Sequence, residues 1–188
     1  VMGMIARLVL GIFIGMLSGW WQDSWIDRAI NAVISVWAAF PTTFFAMILI
    51  KALGIEKGMG VFIVTLSVVG WGEIAQYVRS QVIAQKPLLH IEAARSIGAN
   101  TLQLLKSHIF PQLLPSLIVL SVMEIGSVLM LLAELGFLNI FMGGGFRAEI
   151  GETGMMVPVV YYFSDIPEWG AMLANIRNYW RSSPWMAW

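Results

Sequence analysis

HIEAARSIGANTLQLLKSHIFPQLLP, residues 90–115, lies between two of the most apolar runs of the chain. It holds both histidines, Glu92, Arg95 and Lys106, in a protein of which only 12% is charged. Local rules read it as two short helices. Pro87 suits a first helical turn, so 87–97 is expected to be helical. Gly98 then stands just past the helix end, where left-handed backbone is easiest for glycine. Asn100 suits the N-cap of a second helix over 101–110, which Pro111 is expected to stop. Ala93, Ala94 and Ile97 give the first helix a small, smooth face, and Leu102, Leu105 and Ile109 give the second an apolar stripe able to pack on a bundle. Physics alone leaves two readings: an amphipathic cover over helix ends, or a helix that offers small residues to a partner.

The surroundings decide the fold class. A soluble domain is roughly one quarter charged. Here 59% of 188 residues are apolar and mean hydropathy is +0.78, more oil than one small core can bury. The expected class is all-α, a polytopic integral membrane helical bundle. Zero net charge gives no footprint for nucleic acid. The absence of cysteine excludes disulfides, thiol nucleophiles and Cys-ligated metals. Val1 already lies in an apolar run without a basic leader, and the sequence closes on SSPWMAW; both ends read as cuts within a longer membrane protein.

Four stretches are apolar enough to span: about 3–21, 29–53, 59–77 and 113–137. The first carries Gly11, Gly15 and Gly19 on one face, a ladder that admits a close helix, though glycine is also simply frequent in membrane helices. Arg7 in the same span must snorkel or face protein. Pro41 interrupts the second span, with Thr42 and Thr43 able to re-satisfy freed carbonyls; a gate hinge and a plain packing kink are equally open. LGIEKGMG, residues 53–60, reads as a tight turn, and GWGE, residues 70–73, as an irregular patch. Beyond the fourth span, 138–184 is expected to be an external segment: MMVPVVYYF, residues 155–163, is interfacial or packed on the bundle, and the stretch from Asp165 is an amphipathic surface helix. Arg79, Lys86, Arg95 and Lys106 make the 79–107 stretch cytoplasmic. Alternation then puts 22–28 inside, and 54–58 and the residues after Phe137 outside.

Glu124 lies in mid-span, where a carboxylate is expensive and faces a cavity or a partner. It is a candidate for a translocation path with Pro41 and Thr42; Arg7 is a candidate structural partner, and a proton-linked role is the third reading. His90 and His108 stand eighteen residues apart with no third ligand near, so no metal site is expected. An intramembrane protease would need a catalytic pair at membrane depth, whereas Asp23, Asp27, Asp165 and both histidines lie outside the spans. An ion-coupled carrier or channel would rest on Glu124 alone and leave residues 90–115 unexplained.

EAARSIG followed by HIFP resembles the EAA loop of binding-protein-dependent ABC transporter permeases. Glu92, Ala93, Ala94, Gly98 and Pro111 match in place; His108 holds a position that is usually apolar, and Phe110 replaces leucine. The His-Ile variant is similar to that of the dipeptide, oligopeptide and nickel permeases. DRAINAVISVWAAFPTTFFA, GWGEIAQYVRSQV and LAELGFLNIFMGGG also resemble segments of the family, with Ile74 and Gln76 departing from its usual Tyr and Arg. The resemblance implies a type I importer permease fold, with four of six spans present in one permease domain over 1–188 and a cytoplasmic coupling loop over about 79–110. It also implies a multi-pass place in the cytoplasmic (inner) cell membrane of a prokaryote, a second permease subunit that is homologous or identical, two ATP-binding subunits and an extracytoplasmic solute-binding protein. Short peptides are the implied cargo, with nickel or another small solute as the alternative. Glu92, Ala93, Ala94, Arg95 and Gly98 are implied to meet the ATPase. No cofactor and no enzyme activity are implied, and GGGFRAE lacks the G-x-x-x-x-G-K-[ST] pattern that would cradle ATP phosphates.

Overall fold

The computed structural model describes residues 2–142 and two strands, 145–150 and 159–164. In order these are α1 (Met2–Trp20), α2 (Trp25–Ala38), α3 (Thr42–Leu53), a 3₁₀ turn (Ile55–Lys57), α4 (Met59–Val69), α5 (Trp71–Gln85), α6 (Leu89–Ser96), α7 (Thr101–Gln103), a π turn (Leu104–Ile109), α8 (Phe110–Phe137), β1 (Gly145–Ile150) and β2 (Val159–Ser164). Among the described residues three continuous helical stretches are long and apolar enough to cross a membrane: 2–20, 59–85 and 101–137. The pair α2 and α3 makes a fourth if counted as one broken span. The fold is thus a membrane helical bundle, as the composition demands. It carries one unforeseen addition, an antiparallel ribbon that pairs Gly145 with Ser164 and Ile150 with Val159.

Contacts divide the chain into two units, one from Val1–Thr42 and Leu66–Gly126, the other from the described parts of 43–65 and 127–188. In the first unit α1 lies along α5. The glycine ladder makes this possible. A Cβ on Gly11 would stand 2.6 Å from Ile74, one on Gly15 2.5 Å from the Ala75 carbonyl, and one on Gly19 2.8 Å from Val82. Real Cβ contacts are never that short, so only glycine permits this backbone approach. Ile74, Val78 and Val82 fill the seam with Leu8, and the same cluster runs on into Ile91, Leu104, Ile109 and Leu113. α2 rests on α5 through Trp37 and Trp71, whose ring centroids are 6.4 Å apart. In the second unit Thr43 donates a hydrogen bond to Glu134, tying α3 to the end of α8. Asn139, at φ +60°, closes α8 with bonds from its own N–H to Gly136 O and from Ile140 N–H to Leu135 O.

Several expected boundaries move. The 29–53 span is two helices broken at 39–41, because the residue before proline disfavours helical backbone and Pro41 has no N–H to give. Helix α5 does not end near Tyr77. It runs to Gln85, so Arg79 belongs to a helix and not to the loop. Pro111 does not stop the second loop helix either. The π turn before it widens the backbone, Phe110 N–H bonding five residues back to Leu105 O, and chain 101–137 continues as one helical stretch. That stretch has 37 residues, about 55 Å of helix against a hydrocarbon core of about 30 Å. One end must therefore project beyond the core. Residues 159–163 of the expected interfacial segment form strand β2; 155–158 and the expected surface helix after Asp165 lie outside the described residues.

Candidate functional site

Helix α6 is the short element that the opening stretch builds. It ends as its sequence dictates. Gly98 takes φ +95°, its N–H bonds to Arg95 O, and the Ala99 N–H reaches back to Ala94 O. Nothing lies within 4 Å of a Cβ built on Gly98. Glycine is thus required there by backbone angle and not by space. Asn100 and Gln103 then form a reciprocal capping box that starts the next helix.

At 100° per residue, neighbouring alanines cannot share a face. Ala94 turns inward with Ile91 and is buried, while Ala93 turns outward. Outward with it go Leu89 and Ile97, 83% and 87% exposed, at spacings of four. The expected face of Ala93, Ala94 and Ile97 is therefore replaced by Leu89, Ala93 and Ile97. Glu92 is exposed beside this stripe in the first turn, where a carboxylate also suits the positive end of the helix. Leaving two such aliphatic side chains bare forgoes about 1.5–3 kcal/mol each. The stripe has the character of a contact surface.

Side chains of α6 tie it to α1 and α8. Arg95 lies over the Trp20 ring at the end of α1, 5.5 Å from its centroid. Lys86 lies over the same ring at 5.7 Å and donates a hydrogen bond to Trp20 O at 2.9 Å, capping α1. On α8 the Gln112 amide nitrogen sits 2.8 Å from His90 Nε2. Leu104, Leu105 and Ile109 complete the packing, whereas Leu102, expected among them, is 72% exposed. The π turn shifts the helical register, so Leu104 takes the inward place.

Two ion pairs lock the helices that α6 leans on. Asp27, at the start of α2, accepts from Arg79 Nε and Nη2 of α5, each at 2.7 Å. It accepts as well from Ser18 of α1, from Asn31 Nδ2 at 2.7 Å and from Asp23 N–H at 3.0 Å. Sequence reasoning missed this pair, because it placed Asp27 in a turn and Arg79 in a loop. The available signal was two lone opposite charges at the margins of apolar runs. The second pair is Arg7 of α1 with Glu124 of α8, both buried. The guanidinium fills the space where a side chain on Gly70 would stand, at the break between α4 and α5. Glu124 is thus enclosed with a counter-charge, while Pro41 and Thr42 are placed at the break between α2 and α3. Among the described residues no three His, Asp or Glu side chains converge on a metal position.

Residues 11–176 match the family described as the binding-protein-dependent transport system inner membrane component. The chain is 30% identical over 178 residues to a glutathione transport system permease protein of Pectobacterium atrosepticum, covering 95% of this chain and 52% of that one. It is 27% identical over 178 residues to a dipeptide transport system permease protein of Alkalihalophilus pseudofirmus, covering 95% and 51%. A glutathione transport system permease protein of Escherichia coli O157:H7 is 30% identical over 180 residues, with 92% and 52% covered. The chain spans about half the length of the curated relatives it matches.

Proposed function

Since the chain belongs to the binding-protein-dependent transport system inner membrane components, we propose that it serves as a permease subunit of an ATP-driven importer, with α6 as the element that receives the ATPase. The observation that carries this reading is the Leu89–Ala93–Ile97 stripe. It is bare and apolar, it is flanked by Glu92, and it stands on a helix that buries Ile91 and Ala94 and is tied to α1 through Arg95 and to α8 through His90. A helix bare on one side and braced on the other can pass a displacement to the spans. The chain has no phosphate-cradling motif of its own, so hydrolysis falls to two separate ATP-binding subunits.

In this mechanism closure of the ATPase pair carries α6 with it. Arg95 draws Trp20 and α1, His90 draws Gln112 and α8, and the path between this subunit and a second permease subunit changes the side to which it opens. Gly98 fixes the end of the lever. Pro41 supplies the break in the α2–α3 span, with Thr42 beside it, and Glu124 holds α8 to α1 through Arg7. An extracytoplasmic solute-binding protein delivers the cargo. Short peptides are the cargo this reading favours, because relatives over most of the chain are named for dipeptide and glutathione transport; nickel or another small solute is the alternative.

The test is ATP-driven uptake of a labelled dipeptide into vesicles carrying the whole transporter. Ala93→Arg and Ile97→Asp should each abolish uptake while the permease stays in the membrane at wild-type level. Uptake that survives both changes contradicts the assignment of α6. Uptake without any ATPase subunit would transfer the protein to the carrier class.

A further inference from the structure

A cavity of about 510 Å³ opens in the first unit between the C-terminal half of α1 and the start of the 101–137 stretch. Phe13, Met16, Leu17 and Trp21 form one wall, and Leu102 and Lys106 stand on the other. The lining is apolar apart from Lys106 and Thr101. It lies at the end of a helix long and apolar enough to span: Phe13 and Leu17 belong to that helix, and Trp20 and Trp21 stand at its end, where indoles settle at the headgroup level. Phe13, Trp21 and Leu102 are all exposed, so the slot is not filled among the described residues. Lys106 is exposed in the π turn, and π turns recur at functional positions. The two ion pairs formed among the described residues, Arg7–Glu124 and Arg79–Asp27, leave Lys106 without an acidic partner.

We propose that this cavity is a binding site for an anionic phospholipid, with an acyl chain along Phe13, Met16, Leu17 and Leu102 and the phosphate on Lys106. One molecule must supply a long apolar tail and a net negative head at the depth of Trp21, which is the chemistry of a phosphatidylglycerol-type lipid. A zwitterionic lipid carries its own cation beside the phosphate and answers Lys106 less well. A basic position between helices at the membrane face is a recurrent setting for bound anionic headgroups.

The test uses the full chain in phosphatidylcholine nanodiscs doped with a phosphatidylglycerol whose acyl chain carries a photoreactive diazirine. Crosslinked peptides should map to Met16, Leu17 and Leu102. One lysine at the membrane surface is worth about fivefold in binding, so the same probe with a choline headgroup should label about fivefold less. Lys106→Glu should lower phosphatidylglycerol labelling to the choline level, and Lys106→Arg should keep it. Leu102→Trp, which fills the slot from an exposed position, should suppress both probes. Equal labelling by the two headgroups, or labelling unchanged in Lys106→Glu, overturns the proposal. So does an absence of crosslinks in the cavity while lipid-facing residues of α8 are labelled, which would mean that another helix covers it.

Discussion

Arg79 grips Asp27 with two parallel hydrogen bonds of 2.7 Å, so that the middle of α5 holds the first turn of α2. The Asp27 side chain is almost wholly buried and that of Arg79 keeps a quarter of its surface, which makes the pair hard to replace piecemeal. Removing one partner leaves the other charge uncompensated, at a cost of about 3 kcal/mol. Asp27→Asn should therefore lower the unfolding midpoint in detergent strongly, and Arg79→Lys should do so as well, since an ammonium cannot reproduce the two-pronged geometry. The double variant Asp27→Asn/Arg79→Gln should recover part of the loss. An Arg79→Lys variant as stable as wild type would contradict a bidentate role.

The glycine ladder makes a sharper contrast. Gly15→Ala puts a Cβ against the Ala75 carbonyl and Val78, and overpacking of this kind costs about 1–3 kcal/mol. Gly60 and Gly126 are also helical, yet nothing lies within 4 Å of a Cβ built on either. Gly60→Ala and Gly126→Ala should be neutral or gain up to about 1 kcal/mol from helix propensity. Thermal unfolding of the three variants side by side checks the packing of α1 on α5. Equal behaviour of all three would mean that the ladder does not set that packing.

Trp20 carries two cations on one ring. Trp20→Ala should weaken the hold of α1 on residues 86–95 by about 1–2 kcal/mol, summing the Lys86 and Arg95 contacts. Hydrogen exchange over 88–97 should quicken while the core of α5 stays protected. Trp20→Phe, which keeps a ring, should fall between. Unchanged exchange in Trp20→Ala would mean that the ring contacts do not brace α6.

Much of α6 was legible because its determinants are local. Gly98 and Asn100 act through the few residues on either side, and their caps form where the spacing places them. The inward and outward faces were less legible, since Ala93 and Ala94 differ only in helical phase, and phase depends on where the helix starts. It starts at Leu89 and not at Pro87. The π turn was invisible: no residue type marks it, and it resolves the conflict between Pro111 and a continuing helix that the sequence alone poses. The Asp27–Arg79 pair joins residues fifty-two apart, and no local rule reaches that far. Arg7 with Glu124 was foreseeable as a candidate, because two opposite charges at membrane depth have few other ways to be satisfied.

Arg7 and Glu124 separate structure from transport. Glu124→Gln should destabilise by about 3–5 kcal/mol, because it strands a buried guanidinium. Replacing both by leucine should restore stability to near wild type, since packed apolar residues often match a buried pair. If uptake returns with stability in the double variant, the pair only holds α8 to α1. A stable double variant that transports nothing would return Glu124 to the translocation path.

Whether α6 meets an ATPase through its bare stripe can be read by crosslinking, because the chain has no cysteine of its own. A single cysteine at Ala93 would be combined with one placed in the helix-receiving groove of the ATP-binding subunit, and crosslinking followed with and without ATP. An efficient crosslink whose yield changes with nucleotide is expected, and none from a cysteine at the buried Ala94. No crosslink from Ala93, Leu89 or Ile97 in a folded, assembled transporter would contradict the coupling role and leave α6 as a passive cover over the ends of the spans.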